Sequence, residues 1–205
     1  MTVSANCNKP TATKYTPITT DSVDNHSTED AAYGNQLSCS SDTSFNTTVY
    51  NLPSANEYAY GIWLYSSSDN SFHTSTVYNL DANNQAYGIR LLYSSGNSFV
   101  TTTVYNLPSA NEYAYGIWLY SSSDNSFSSG SISDINAPTW WDFYSDASSH
   151  GNSAEDITIS SFPTTISFTY DNGIKLKSVV IPPADPAGRQ NTSNDMHVTE
   201  VTAAS

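Results

Sequence analysis

Carboxylates recur through the middle of this chain at a fixed interval: Glu57 returns as Glu112 and Asp69 as Asp124. Glycoside cleavage asks for two acids roughly 5–10 Å apart in differing environments. These acids instead sit in identical copies of one segment, and Gly96 stands where the intermediate copy would carry the matching Asp. Equivalent acids then lie two layers apart, roughly 9.6 Å for layers ~4.8 Å thick. That separation suits inversion, but nothing else supports it. Acids inside Ser/Asn-rich segments read first as turn residues that cap backbone amides. His26, His73, His150 and His197 form no ligand-spaced pair. No H-E-x-x-H, D-x-[DN]-x-[DN]-G loop, G-x-S-x-G elbow, P-loop or dinucleotide fingerprint occurs. These patterns assign no catalytic residue, no metal ligand and no cofactor. Cys7 and Cys39 allow one disulfide or two free thiols.

The aromatic residues carry the stronger pattern. In Tyr60–Tyr65, YGIWLY, alternation puts Ile62 and Leu64 on one side and Trp63 and Tyr65 on the other. Aligning the copies makes Trp63, Arg90 and Trp118 one outward column, flanked by Gln36 and Asp142. Tyr65 and Tyr120 fall in the next column, with Tyr93 displaced by the extra Leu92, and Tyr50, Tyr78 and Tyr105 make another. An arginine between two indoles can stack on both, each contact being worth ~0.5–1 kcal/mol when exposed. Flat aromatics in rows suit the C–H faces of sugar rings. The plainer reading is that they only pair along a sheet, each pair adding roughly 0.2–1 kcal/mol. Trp63, Arg90, Trp118, Tyr65 and Tyr120 are therefore the candidate glycan contacts.

What must position these residues follows from composition and repetition. The chain has 205 residues, 6 Lys+Arg against 19 Asp+Glu, and a net charge of −13. Six dispersed cations do not make a nucleic-acid groove, and the acidity disfavours a grip on anionic membranes. No apolar run approaches the ~18–20 residues of a membrane span. The first residues, MTVSANCNKPTATKYT, lack the apolar core of a signal peptide. With 15 Tyr and 4 Trp the chain is too aromatic for wholesale disorder.

Residues 47–72 and 102–127 share one 26-residue sequence, with a looser copy at 76–99 between them. Phe45, Phe72, Phe99 and Phe127 set a period of 27 or 28. Degraded copies lie at 32–45 and 139–153. Each copy reads as two or three short strands joined by polar turns such as SSSDN and PSANE. Burying its few large apolar side chains yields about 8–15 kcal/mol gross, less than the ~1–2 kcal/mol per residue lost in ordering the backbone. One copy cannot fold alone, so copies must stack. In-register stacking predicts inward columns Phe45/Phe72/Phe99/Phe127, Val49/Val77/Val104/Ile132, Leu52/Leu80/Leu107/Ile135 and Ile62/Ile89/Ile117. It also predicts amide ladders at Asn70/Asn97/Asn125 and Asn51/Asn79/Asn106. Leucine-rich repeats need a different motif, and two 55-residue units cannot close a propeller. The expected fold is all-β: a right-handed parallel β-helix, or solenoid, of roughly five coils.

Gly61-Ile62, Leu64, Ser67, Asn70, Phe72 and Val77 resemble the G-I-x-L-x-x-S-x-x-N-x-I repeats of the NosD-like class, also called carbohydrate-binding and sugar-hydrolase repeats. The resemblance spans roughly residues 32–160 and repeats at Gly116–Phe127, with the PSANEYA stretch expected to bulge from one corner. Residues 166–188 resemble the segment following such repeats in surface proteins of methane-producing archaea. These likenesses imply an exported, surface-associated protein. Residues 1–30 are expected to be a flexible polar lead-in and 181–205 a linker or tail. Residues 31–180 are expected to form the β-helix, capped near Trp140, Trp141, Phe143 and Phe162. The expected function is a non-enzymatic extracellular or cell-surface module that binds a polysaccharide or surface glycan, or self-associates through its ends. A polysaccharide lyase or glycoside hydrolase on the same scaffold is the alternative.

Overall fold

The computed structural model describes residues 31–52, 57–109 and 111–159 in full, and the strand backbone at 2–4, 18–24, 53–54, 165–168, 175–177, 179–181, 192–194 and 201–203. Two parallel sheets face each other. The first runs in the spatial order β1 (Thr2–Ser4), β3 (Ala31–Ser38), β5 (Tyr58–Tyr65), β7 (Gln85–Leu92), β9 (Tyr113–Tyr120), β11 (Thr139–Ser145), β13 (Thr165–Phe168) and β16 (Thr192–Asn194). The second runs β17 (Val201–Ala203), β15 (Val179–Ile181), β12 (Ser153–Ile159), β10 (Ser126–Asn136), β8 (Ser98–Pro108), β6 (Ser71–Ala82), β4 (Ser44–Ser54) and β2 (Ile18–Asp24), with β14 (Lys175–Lys177) also on β12. Successive strands alternate between the sheets, making a parallel β-solenoid of about five turns over residues 31–159, with no helix among the described residues.

Equal residues do become neighbours. Phe45, Phe72, Phe99 and Phe127 stack with ring centroids 4.8, 4.5 and 4.8 Å apart. The Val, Leu and Ile columns are fully or almost fully buried between the sheets. Each coil contains two strands, the second long and bent. Its bend is a left-handed residue at Asn51, Asn79, Asn106 and Asp134, with φ of 52–54°. Asn and Asp tolerate that conformation better than most side chains. A second left-handed residue, Thr101 in β8 and Ser129 in β10, lies between the Phe and the Val or Ile. It lets residues five apart, Phe99 and Val104, both face inward. In the first coil Phe45 and Val49 are only four apart, and the extra residue of β6 emerges as a bulge that leaves His73 exposed, as its place after Phe72 predicts.

Hydrogen bonds at the Ser/Asn turn lock the coils together. The Asn70 Nδ2 donates to Asn97 Oδ1, Asn97 Nδ2 to Asn125 Oδ1, and Asn125 Nδ2 to Asn152 Oδ1, each at 3.0 Å. A parallel serine ladder runs beside it: the backbone N–H groups of Ser40, Ser67, Ser94 and Ser122 donate to the hydroxyls of Ser67, Ser94, Ser122 and Ser149. The corner ladder of Asn51, Asn79 and Asn106 is also present, but exposed.

Trp140, Trp141 and Phe143, expected at a cap, lie in β11, which is paired on both sides by β9 and β13. Phe143 packs edge-on against Phe127 at 5.3 Å. It fills the volume opened where Ala154 continues the Phe column. Phe162, most of the expected lead-in and tail, and parts of the PSANE loops lie outside the described residues. Short described strands within the lead-in and tail pair in parallel with the ends of both sheets.

Candidate functional site

The outer face of the first sheet owes its aromatic surface to a shift of phase at glycine. In β5, Ala59 faces the core, Tyr60 faces out, and Gly61 and Ile62 both turn inward before Trp63 faces out again. Two consecutive inward positions fit only because the first has no side chain. A Cβ on Gly61 would lie 2.3 Å from Val77 Cγ1 and 2.5 Å from the Gly88 carbonyl oxygen. The same holds at Gly34, Gly88 and Gly116. A further aromatic column therefore stands outside this sheet, beside those of Trp63 and Tyr65.

The inner column is a continuous stack: Tyr33, Tyr60, Tyr87, Tyr115 and Trp141, with centroids 5.1, 5.2, 5.0 and 5.0 Å apart and planes within 14°. Tyr60, Tyr87 and Tyr115 are buried although they lie outside the core. Simple alternation puts Tyr60 on the same side as Ile62, so the sequence reading missed this column. The signal was the recurrent A-Y-G triplet, in which glycine changes the phase.

The expected column Trp63/Arg90/Trp118 is formed in register. Arg90 is enclosed by four rings, its Cζ lying 5.1 Å from Tyr60, 5.5 Å from Trp63, 5.1 Å from Tyr87 and 4.8 Å from Trp118. All three members of the column are half-buried rather than exposed, because the inner tyrosines rise beside them. Trp63 lies against Tyr33 and Tyr60, and Trp118 against Tyr120 and Tyr144. Gln36 flanks the column as expected, but its other neighbour is Tyr144 rather than Asp142. Asp142 occupies the glycine position opposite Gly116 and is fully buried.

The exposed aromatics form the rim. Tyr65, Tyr93 and Tyr120 are 38%, 52% and 40% exposed. Tyr93 meets Tyr65 and Tyr120 edge-to-face at 6.1 and 6.0 Å. It sits one residue beyond the strand register with a left-handed φ of 54°, as do Cys39, Ser66 and Ser121 with φ of 46–53°. A bulky residue seldom adopts that conformation. A strained, outward-turned aromatic is the kind of feature function retains.

Burial sets the ionisation of the inner phenols. Tyr60 is pushed up to about 12, and Arg90 opposes only part of that shift; burial also raises Tyr87, Tyr115 and, less deeply, Tyr144. The folded protein keeps these protons while the unfolded chain loses them near the usual value of about 10. Their stabilising effect is thus whole below pH 10 and declines as pH rises toward 12. Alkaline absorbance titration should show the inner tyrosines ionising only with unfolding. An Arg90→Met variant, which removes the opposing charge, should raise Tyr60 further. Ionisation of every tyrosine in one ordinary step in the folded protein would contradict this.

The periodic acids take structural posts. Asp69 and Asp124 are left-handed corner residues, and each carboxylate lies over the glycine of the next coil, Gly96 or Gly151. A Cβ on Gly96 would sit 2.4 Å from Asp69 Oδ1. Glu112 accepts from Gln85 Nε2 at 2.6 Å. Cys39 is disulfide-bonded, and Cys7 lies outside the described residues.

A family model described as periplasmic copper-binding protein (NosD) matches residues 7–153. No curated protein and no solved structure matches the chain. Copper favours thiolate, thioether or imidazole ligands, and the described residues do not fit it: no group of three His, Cys, Asp or Glu among them could hold a metal. His73 and His150 are exposed on different coils, and Cys39 is committed to its disulfide. The repeat motif, the parallel coils and the extent of the match agree: the chain belongs to the NosD family.

Proposed function

We propose that this protein is a non-enzymatic module acting outside the cytoplasm, at the cell surface, and that it binds glycans along the outer face of the first sheet. The observation that carries the reading is the row Tyr65, Tyr93 and Tyr120, exposed on a wall whose backbone is fixed by parallel pairing on both sides. Aromatic side chains on a preorganised wall lose little freedom when a ligand arrives. Successive rungs are ~4.8 Å apart, close to the length of one sugar residue in an extended chain. Trp63, Arg90 and Trp118 back this row, Arg90 by presenting whatever N–H groups the rings leave open. The periplasmic description of the family and the disulfide at Cys39 both fit an oxidising compartment outside the cytoplasm.

The test is a glycan array run beside an assay for reducing ends released from neutral and acidic polysaccharides. Binding without release is expected. Trp118→Ala and Tyr93→Ala should each weaken binding by roughly tenfold, or ~1.4 kcal/mol, while Tyr105→Ala on the opposite sheet should not. Release of reducing ends would favour the polysaccharide-active alternative. Absence of any binding, or equal loss in Tyr105→Ala, would overturn the glycan reading.

A further inference from the structure

The same face brings redox-active rings into an order that sugar binding does not require. Three exposed phenols, Tyr65, Tyr93 and Tyr120, lie in edge contact at 6.1 and 6.0 Å. Behind them Trp63 lies 6.3 Å from Tyr65, and Trp118 lies 5.5 Å from Tyr120. Both indoles abut the five-ring stack, Trp63 on Tyr60 at 5.3 Å and Trp118 on Tyr87 at 5.8 Å. Any ring in this group that loses an electron can take one from a neighbour in van der Waals contact. Where the vacancy comes to rest depends on where a proton can leave. The inner phenols are buried and hold their protons tightly. The outer phenols face water and can release theirs.

We infer that Tyr93 and one of its two neighbours, Tyr65 or Tyr120, form a site of oxidative tyrosine–tyrosine coupling that covalently staples adjacent coils. The oxidant class is hydrogen peroxide acting through a haem peroxidase. Each phenol gives up one electron and its hydroxyl proton, and one peroxide takes both pairs to become two waters. The two phenoxyl radicals join through ring carbons ortho to oxygen. Each joined carbon then loses its hydrogen as a proton while each oxygen regains one, restoring two phenols. The net change is two tyrosines and one peroxide giving one dityrosine and two waters. Tyr93 is the centre of the row, and its left-handed backbone, φ 54°, tips it out between its neighbours.

The experiment treats the full chain, dilute, with a haem peroxidase and peroxide. It reads dityrosine fluorescence, the mass of the monomer and the position of the link by peptide mapping. The expected result is a monomer lighter by two hydrogens, with the bond mapped to Tyr93 and Tyr65 or Tyr120. In Tyr93→Phe, which keeps the ring and the packing, the intramolecular signal should be lost. In Tyr105→Phe, on the other sheet, it should persist. Thermal unfolding of each variant before oxidation identifies any loss of fold, and Tyr65→Phe with Tyr120→Phe tests the same pair from the neighbours' side. Links mapped to other tyrosines, only intermolecular dimers, or an unchanged yield in Tyr93→Phe would overturn the inference.

Discussion

Replacing Gly88 by alanine is expected to cost about 3 kcal/mol of stability, the upper end of what overpacking usually costs. The added Cβ would lie 2.4 Å from Val104 Cγ1 and 2.5 Å from the carbonyl oxygen of Gly116. Neither neighbour can step aside. Val104 is fully buried in the column that fills the space between the sheets, and the Gly116 carbonyl belongs to the next strand of the ladder. Gly88 is also central, so a displaced rung disturbs contacts on both sides, and in a solenoid stability depends on each repeat's nearest neighbours. Gly96 offers the comparison. There φ is 69°, and the clash is with the end of the Asp69 side chain, which can swing toward solvent. Gly96→Ala should therefore lose only the ~1–2 kcal/mol of a left-handed residue. Urea unfolding of the two variants checks the order. A Gly88→Ala protein as stable as Gly96→Ala would show that the inward turn at glycine does not hold the two sheets at their spacing.

That glycine also marks where the sequence could be read directly and where it could not. The Phe, Val, Leu and Ile columns were legible because period-two alternation and a fixed repeat length leave them one side to occupy. The Asn70 and Asn97 ladder was legible because an amide that recurs at a turn has a like partner one rung away. Tyr60, Tyr87 and Tyr115 escaped because alternation assumes an unbroken strand, and Gly61, Gly88 and Gly116 each insert an extra inward position. Asp142 was misplaced for the same reason: in the fifth coil it takes the glycine's place, two residues before the partner of Trp118, and turns inward although alternation puts both on one side. Of the candidate site, Trp63, Arg90 and Trp118 were correctly aligned. Their half-buried state was not visible, since it depends on the tyrosine column beside them. Tyr93 could be seen to slip by one residue, but its left-handed backbone and its exposure follow from the turn's geometry.

The amide ladder supports the second large effect. Asn97→Ala is expected to destabilise the protein by about 4 kcal/mol, beyond the range of most single substitutions. The side chain is fully buried and serves both neighbouring coils. Its Oδ1 accepts from the backbone N–H and the Nδ2 of Asn70, both at 3.0 Å. Its Nδ2 donates to the carbonyls of Ser67 and Ser95, at 3.0 and 3.2 Å, and to Asn125 Oδ1 at 3.0 Å. Truncation removes these contacts together and strands the Asn70 backbone N–H in a space closed to water, where an unmet group costs ~1–3 kcal/mol, while Asn70 Nδ2 keeps the carbonyls of Ser40 and Ser68. The corner ladder makes the control. Asn79 donates to Asn51 at 3.0 Å and accepts from Asn106 at 2.6 Å, but in contact with solvent. Its left-handed φ of 54° suits glycine, so Asn79→Gly should stay within about 0.5 kcal/mol of the parent. The two ladders look alike in the sequence, a repeated Asn every 27 or 28 residues. If chemical denaturation gave them equal costs, burial would not set the cost of losing a ladder amide. A large gap in favour of Asn97 means that desolvation at the Ser/Asn turn fixes the register, and with it the alignment of every ring on the outer face.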